Sequence, residues 1–419
     1  MLIGQRVAGA AELRAAHPLT CRVIRDTRDW AALEPQWKAL WAASKSASPS
    51  LRWEWLWTWW RLYGETYGER GRGLCVVVVE DRSTLMAALP LYVGRVGSVH
   101  YGTDTGRLAP RQLRFLSTGE SRLEETCADY LDVLCREGME QPSVEALGRV
   151  LWNRDAHRCD SLQLSSLPDE SPLRLWTGPA SAWPGGLSEQ SYGASFVADL
   201  SGGIESYLKR LSPNSRQQAR RLLRSVEREG LTFEVASDAG QVDRFYDDLV
   251  RLHELRFAQA GLRGCFSSPR FTEFHRTLAR ELVPRGGAVL ARLSGGGHPL
   301  AVVQGYLARE RFYYYLAGTA VEGDGAVRSP GIAAHLLLKS HLIERGVTAY
   351  DYMRGSNRLK VQFAPVQRPL WQLSYEKRTA RGLAHRASIA GARIMRKAVE
   401  IVRGHDPETE AKERWNSRW

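Results

Sequence analysis

The sequence predicts a mixed α/β protein built from two globular units. Of its 419 residues, 43% are hydrophobic and 25% are charged, which is the balance of a folded chain. Short runs of β-branched and aromatic residues alternate with segments of helical periodicity in both halves. A stretch rich in Pro, Gly and Ser, from 165 to 193, separates the halves. We therefore expect one domain near 20–195, a second near 196–375, and a basic helix or tail over 376–419.

The first half predicts an alternation of strands with amphipathic helices. Five of the 14 tryptophans fall between 49 and 63 at helical spacing, so they must point in several directions. A helix buried on most sides is favoured there over a ligand platform. The other predicted elements are strands at 21–25, 73–79, 84–93, 96–101, 130–135 and 162–164, and helices around 30–41 and over 142–152.

The second half opens with a basic helix over 204–229, which Pro213 interrupts. Arg216, Arg220 and Arg224 share one face of it. An anion-binding ridge and a solvated helix face explain this pattern equally well. The remaining predicted elements are strands at 231–236, 288–293, 300–307, 311–318 and 347–352, helices over 241–260, 270–282 and 330–345, and a loop at 323–329.

Charge and cysteine usage limit the classes of partner. The net charge of +12 favours an anionic partner, such as a phosphorylated cofactor, nucleic acid or an acidic membrane face, without choosing among them. The six cysteines include no C-x-x-C pair, which predicts reduced thiols, no zinc site and a cytoplasmic protein. No apolar run approaches the ~20 residues of a spanning helix, and we expect no signal peptide. For the basic tail, a solvated helix is favoured over peripheral membrane contact.

The most informative stretch is Arg328-Ser329-Pro330-Gly331-Ile332-Ala333, at the start of the predicted helix 330–345. A helix that begins in a Gly-containing turn presents unpaired N–H groups and the positive end of its dipole, which suits a phosphate or pyrophosphate. Gly331 would let such a ligand approach closely, and Arg328 adds a cation. By itself, the hexapeptide also fits an ordinary Pro-Gly helix start.

The spacing Arg-x-x-Gly-x-Ala resembles the pyrophosphate loop of the GNAT acyltransferases. The segments 329–331 and 349–355, followed by Lys360, resemble one GNAT branch in particular, the CelD/BioF2-like acyltransferases, which are relatives of the FemAB transferases. The segment 252–257 extends the resemblance upstream, so that it covers about 200–370 well and the first half more loosely. The branch usually carries Tyr-Lys where this chain has Leu359-Lys360.

This resemblance implies two tandem GNAT-like domains, each a mixed, largely antiparallel sheet flanked by helices. The first would lack a pyrophosphate loop, and the second would hold acetyl-CoA or another acyl-CoA. The implied activity is transfer of the acyl group to an amine of a small molecule, sugar or polysaccharide precursor, without a metal or DNA. The residues implied at the donor are Arg328, Ser329, Gly331, Ile332 and Ala333.

Candidate catalytic residues follow from chemistry and from the resemblance together. His253 lies on the buried stripe of helix 241–260, and because its pKa can lie near neutrality it is the first candidate for a base. Asp351 is the second candidate. Without the resemblance, a histidine on an apolar stripe is more often a hydrogen-bonded core residue. Lys360 and Tyr315 are candidates for binding the acceptor or protonating sulfur. The residues assigned to acceptor binding are Arg256, Gln304 and Arg354.

Two other functions stay open. A FemAB-like transferase would take an aminoacyl group from charged tRNA, which the basic ridge and net charge suit, although the sequence shows no paired long helices of a coiled-coil arm. A catalytically idle accessory protein of exopolysaccharide biosynthesis would explain the missing tyrosine beside Lys360.

Overall fold

The computed structural model of the protein describes residues 19–95, 110–152, 159–177, 187–320 and 329–376. The predictions for a strand at 96–101, for Arg328 and its loop, and for the tail from 377 lie outside these residues. The strands are β1 (Thr20–Ile24), β2 (Leu74–Asp81), β3 (Thr84–Arg95), β4 (Arg111–Phe115), β5 (Leu134–Cys135), β6 (Ser161–Pro168), β7 (Ser188–Asp199), β8 (Thr232–Val235), β9 (Ala288–Gly295), β10 (His298–Ala308), β11 (Arg311–Thr319), β12 (Ala349–Arg354) and β13 (Val366–Glu376). The helices are α1 (Thr27–Ala31), α2 (Glu34–Ala43), α3 (Trp53–Tyr67), α4 (Glu140–Trp152), α5 (Gly203–Arg210), α6 (Pro213–Arg228), α7 (Ala239–Gln259), α8 (Pro269–Leu282), α9 (Pro330–Glu344) and α10 (Arg358–Phe363).

These strands form one 13-stranded sheet in the order β1-β2-β3-β4-β6-β13-β7-β12-β11-β10-β9-β8, with β5 paired to β3. Two neighbouring pairs run parallel, β4 with β6 and β11 with β12. A parallel pair needs a crossover connection, and α4 and α9 lie in the two crossovers. The mixed, largely antiparallel sheet flanked by helices confirms the predicted fold class.

The two halves repeat one order of elements and exchange one strand. The first half follows the order β1, a helical segment, β2, β3, β4, α4 and β6. The second half follows the same order with β8, two helices, β9, β10, β11, α9 and β12. The strand that follows each series crosses over, because β7 pairs with β12 and β13 pairs with β6. β7 and β13 also pair with each other at the centre of the sheet. The predicted boundary at 195–196 falls within β7, so it stays a prediction.

Helices cover both faces of the sheet and bury two main cores. On one face, Trp55 of α3 meets Phe274 of α8 edge to face, with ring centroids 5.1 Å apart, which joins the halves. Trp55 and Trp59 are 1% and 0% exposed, as expected for a helix buried on most sides. On the other face, α5, α6 and α9 pack apolar side chains such as Leu222 and Leu336 against β9 to β12.

Two predicted elements differ from the structure. The predicted strand 130–135 is extended only at β5, because Tyr130 adopts a left-handed backbone with φ of 58° that a strand cannot contain. The second difference lies at residues 366–376, for which no strand is predicted: they form β13, which continues to Glu376 between β6 and β7. Because the β13 segment contains many polar residues, its sequence does not predict a strand.

Candidate functional site

The parallel strands β11 and β12 open away from each other near the middle of the sheet. Residues 311–313 pair with 349–351, and the described structure contains no further pairing between these two strands. Met353 has a left-handed backbone, with φ of 59°, where β12 turns away. The part of β11 from Tyr314 to Thr319 therefore borders an opening on its β12 side.

A bulge on β11 lies at this opening. The pairing of β10 with β11 shifts between Gln304 and Gly305, so that Tyr315 is an extra residue on β11. Bulges disrupt the local ladder of hydrogen bonds and redirect side chains. Here the bulge lies where β11 and β12 part.

Helix α9 begins beside the end of β11. Ser329, just before it, has a left-handed backbone with φ of 60° and ψ of 58°. The N–H groups of Ile332 and Ala333 donate to the Ser329 carbonyl at 3.1 and 3.3 Å. Pro330 is the first helical residue, which suits its fixed φ. The predicted helix start is thus confirmed.

Gly331 lies against the last residue of β11. A Cβ added at Gly331 would come within 2.7 Å of Thr319 Cγ2, so packing favours a glycine at this position. Arg256 at the end of α7 donates from Nη1 to Thr319 Oγ1 at 3.0 Å. Arg256 is therefore placed next to the start of α9.

A segment from the first half closes the other side of the opening. This segment, 116–133, comes directly after β4, the strand of the first half that corresponds to β11 in the second. The Tyr315 hydroxyl donates to the Thr126 carbonyl at 2.7 Å, and the rings of Tyr130 and Tyr313 meet edge to face at 5.6 Å. Cys127 and Tyr130 both hold left-handed backbones, with φ of 44° and 58°. Backbone strain of this kind at non-glycine residues is concentrated at functional sites.

Asp351 is the buried carboxylate at the centre of this region. It is 0% exposed. Its Oδ2 accepts from the Tyr130 hydroxyl at 2.5 Å, and its Oδ1 accepts from the Met353 N–H at 2.7 Å. Ser195 Oγ lies 2.5 Å from the same Tyr130 oxygen. Burial raises the pKa of Asp351 to about 6, although the Tyr130 hydrogen bond and the Arg311 charge oppose the shift.

A second carboxylate, Asp129, fixes Arg354 at the end of β12. Its Oδ2 accepts from the Arg354 backbone N–H at 2.8 Å, and its Oδ1 accepts from Arg354 Nε at 3.1 Å and from Ser166 Oγ at 2.7 Å. The Arg354 guanidinium lies 4.4 Å from the Tyr192 ring centroid. Arg354 is thus held rigidly, which suits a group that must present a charge in a fixed place.

Lys360 of α10 reaches the same place. Its Nζ donates to the carbonyls of Arg354 at 2.6 Å and Met353 at 3.4 Å. Desolvation lowers the pKa of Lys360 to about 8, although Asp129 and Asp351 favour the charged form. An amine with that pKa can hold or release a proton near neutral pH.

Cys127 lies beside these groups, because its thiol interacts electrostatically with Arg354 and Lys360. Its side chain is exposed. Nevertheless, desolvation by the surrounding protein, with the charges of Glu125 and Asp129, raises the pKa of its thiol well above its usual value. We call the group of neighbouring side chains formed by Cys127, Asp129, Tyr192, Arg354 and Lys360 the recess.

His253 occupies a different environment. It is 6% exposed, and its ring stacks on Phe257 with centroids 4.4 Å apart. Its Nδ1 lies 3.2 Å from Glu254 Oε1, and its Nε2 lies 3.7 Å from Cys265 Sγ. Burial, with a smaller effect of Arg256, lowers the pKa of His253 to about 4. The imidazole is therefore neutral at pH 7.

Gln304 is also separated from the recess. It is 0% exposed, and its Nε2 lies 3.5 Å from the Tyr306 hydroxyl. That hydroxyl is itself 3.0 Å from His275 Nδ1 in an aromatic cluster. The structure thus brings together Asp351, Lys360 and Arg354, joins Tyr315 to them through the 116–133 segment, and places Arg256 at α9.

Sequence reasoning missed Asp129, Tyr130 and Ser195. Tyr130 and Asp351 are 221 residues apart, and Tyr130 had been assigned to a strand. The signal that could have found them is the run Asp129-Tyr130-Leu131-Asp132, where two acids flank an aromatic residue within an otherwise apolar stretch. Burial of such acids requires polar partners.

Neither a metal centre nor a membrane span is evident in the part of the chain that the structure describes. No three His, Cys, Asp or Glu side chains among those residues group closely enough to hold an ion. No described helix is long and apolar enough to cross a membrane.

The opened pair of parallel strands and the helix that starts beside them lie within the part of the chain that a family comparison matches. Residues 213–361 match the family described as acetyltransferase (GNAT) domain. No curated protein sequence matches the chain.

Solved structures extend the likeness to both halves. The crystal structure of FemX is similar over 82% of this chain and 96% of that chain, with a TM-score of 0.54 and 11% identity. A conserved protein of unknown function from Bacteroides thetaiotaomicron VPI-5482 is similar over 85% of this chain and 100% of that chain, with a TM-score of 0.51 and 12% identity. At these identities, the likeness shows a shared fold.

Proposed function

We propose that the chain transfers an acyl group from acyl-CoA, such as acetyl-CoA, to an amine of a small molecule, sugar or polysaccharide precursor, as in the CelD/BioF2-like branch. The observation that carries the proposal is the opening between β11 and β12 beside Gly331. An extended donor lying in that opening would place its anionic end at the start of α9 and its thioester near the bulge at Tyr315.

The start of α9 suits the anionic end of such a donor. The backbone of Ser329, Gly331, Ile332 and Ala333 lies at the positive end of a 15-residue helix. Arg256 lies close by through Thr319. We propose that these groups, with Arg328, bind the donor phosphates.

The chain must then remove a proton from the amine, stabilise the oxyanion and return a proton to the departing thiolate. We propose that Asp351, through the Tyr130 hydroxyl, accepts the amine proton. Backbone N–H groups at the bulge would stabilise the oxyanion. Lys360, with its pKa of about 8, would protonate sulfur. Arg354, held by Asp129, would orient the acceptor.

We propose Asp351 rather than His253 as the base because the two differ in proton affinity. A general base works best with a pKa near the operating pH. The pKa of Asp351 is about 6 and that of His253 about 4. Both ring nitrogens of His253 also have partners, Glu254 and Cys265.

The proposal is tested by incubating the purified protein with acetyl-CoA and a panel of amines. Release of coenzyme A should depend on the amine, and native mass spectrometry should show one bound acetyl-CoA per chain. No binding of any acyl-CoA, with no release of thiol, would refute the donor class.

A second candidate, transfer from aminoacyl-tRNA, is favoured by one feature of α6. Arg216, Arg220 and Arg224 border a pocket of about 290 Å³. Arg216 donates to main-chain carbonyls and Arg220 pairs with Glu205 at 2.8 Å. For Arg224 no ion pair is formed within the described residues. A row of arginines at helical spacing suits a phosphate backbone.

The two donors are separated by charge substitution on that row. If charged tRNA is the donor, Arg224→Gln should weaken tRNA binding about threefold or more at low salt, as one lost phosphate contact predicts. Arg285→Gln, at an exposed arginine of another surface, is the matched control. If acyl-CoA is the donor, neither variant should change turnover, and charged tRNA should not compete.

A further inference from the structure

Lys339 is a buried cation on the inner face of α9. It is 1% exposed, and its Nζ donates to the Tyr352 hydroxyl at 2.7 Å. The same Nζ lies 4.1 Å from the Tyr350 ring centroid and 5.4 Å from that of Tyr207. An ammonium carries three N–H donors, and this one meets a single hydroxyl oxygen and aromatic faces. None of the ion pairs formed among the described residues includes Lys339, and desolvation alone lowers its pKa to about 7.

The other titratable groups around Lys339 stay neutral near pH 7. On α9 itself, His335 Nδ1 lies 2.6 Å from the Tyr350 hydroxyl, and burial holds its pKa well below the usual value. The facing phenols are Tyr207 on α5, Tyr314 on β11, and Tyr350 and Tyr352 on β12, and burial raises the pKa of each. The residues that α6 buries are Ser215, Ala219, Leu222 and Val226. Lys339 is thus the group in this cage whose charge can change in the neutral range.

The cage lies under the helix whose start is the proposed donor site. Lys339 is nine residues after Pro330 on the same helix, which corresponds to ~14 Å along the axis. The interior between the two is packed with aromatic and aliphatic side chains, so solvent screens the interaction weakly. A positive charge at Lys339 therefore favours an anion at the start of α9.

We propose that Lys339 tunes the donor site: its protonated form strengthens binding of the anionic donor at the start of α9, and its deprotonation weakens it. This inference rests on the proposed use of acyl-CoA. By linkage, a bound donor must favour protonation of Lys339 by the same factor.

The test is the affinity for acetyl-CoA, measured by calorimetry from pH 6 to pH 9 at low salt in the parent and in Lys339→Met. Titration of the donor phosphates contributes equally to both, so the ratio of the two dissociation constants isolates Lys339. We expect the parent to bind about fivefold more tightly than the variant at pH 6, the effect of one charge ~15 Å away at an effective dielectric constant of ~20. The two affinities should converge by pH 9.

His335→Gln is the matched control, because it changes the same helix face without changing a charge, and it should keep the pH dependence of the parent. A lysine with only a packing role would change affinity equally at every pH, which would overturn the inference. An equal pH dependence in parent and Lys339→Met would do the same. If the parent binds no acetyl-CoA at any pH, the proposed donor fails as well, so the two failures are distinguishable.

A second measurement does not depend on the donor. Because the folded pKa of Lys339 lies below its unfolded value, the unfolded chain holds the extra proton between pH 7 and pH 10. The stability of the parent should therefore rise with pH over that range relative to Lys339→Met. Parallel stability curves would show that Lys339 does not titrate there and would overturn the inference.

Discussion

Replacing Asp351 with Asn should stabilise the protein and inactivate it. Asp351 is fully buried, and its ionised form is disfavoured by desolvation. Asn keeps the size of the side chain, and its oxygen can still accept from the Met353 N–H. A substitution that improves stability while removing activity identifies a residue retained for function at the expense of the fold.

The magnitude follows from the pKa shift. The folded pKa of about 6 exceeds the ordinary value of 3.8, a difference of roughly two units, or about 3 kcal/mol at 1.36 kcal/mol per unit. Because the pKa is raised, the protonated carboxyl contributes this free energy to folding fully below pH 3.8, and the contribution is lost as the pH rises through about 6. At pH 7.5 the carboxylate therefore costs up to about 3 kcal/mol. The Arg311 and Tyr130 contacts are already included in this pKa. Asn places an NH₂ group where the carboxylate oxygen accepts from Tyr130, and this mismatch reduces the net gain to about 1–2 kcal/mol.

The assay combines urea unfolding at pH 5 and pH 7.5 with steady-state turnover. The stability advantage of Asp351→Asn over the parent should shrink by more than 1 kcal/mol at pH 5, because the parent carboxyl is then mostly protonated in the folded state. Turnover should fall by roughly 10²- to 10⁴-fold. The parent should show a limb in kcat/KM near pH 6 that the variant lacks.

Glu120→Gln is the matched control. Glu120 is 1% exposed, and burial raises its pKa to about 7. Its Oε1 accepts from Trp59 Nε1 at 2.5 Å and from Thr126 Oγ1 at 2.6 Å, contacts that Gln can keep. This variant should gain stability at pH 7.5 and keep its turnover. If Asp351→Asn also keeps its turnover, Asp351 is not the base. If Asp351→Asn is less stable than the parent by the same amount at both pH values, the desolvation argument is wrong.

Two further substitutions separate packing from binding. Gly331→Ala combined with Thr319→Ser removes the methyl group that a Cβ would strike and keeps the hydroxyl that Arg256 contacts. The melting temperature of this double variant should match that of Thr319→Ser, while its affinity for acetyl-CoA should fall at least about tenfold because the new methyl group obstructs the helix start. An unchanged affinity would place the donor elsewhere. His253→Gln should lower the free energy of unfolding by about 1–2 kcal/mol through loss of its aromatic contacts, with little change in turnover, whereas a loss of 10²-fold or more in turnover without destabilisation would make His253 the base.

Local signals in the sequence were sufficient to predict most of the helices and strands in the second half. Pro330 and Gly331 predicted the start of α9, and Gly346 supplies the left-handed residue after its end, with φ of 79°. The break at Pro213 also separates α5 from α6 as expected. Such features depend on a few neighbouring residues, whose φ preferences and hydrogen bonds act in any fold.

The centre of the sheet could not be predicted in the same way. β13 reads Val-Gln-Arg-Pro-Leu at its start, which is polar and contains a proline, yet it lies between two strands. Its place depends on pairing with β6, about 200 residues earlier. The contact of Tyr130 with Asp351 is also long-range and requires a left-handed backbone at a tyrosine. Neither pairing leaves a local pattern.

The exchange of strands explains why the candidate site has this composition. β7 follows the first half in sequence but pairs with β12, so it brings Ser195 to the Tyr130 hydroxyl beside Asp351. The 116–133 segment stands where a donor loop would stand in the first half, and it supplies Tyr130 and Asp129 to the second. The first half thus contributes side chains to the polar groups around Asp351 and Arg354 in the second half. A single sheet holds both contributions, as the proposed positioning of donor and acceptor requires.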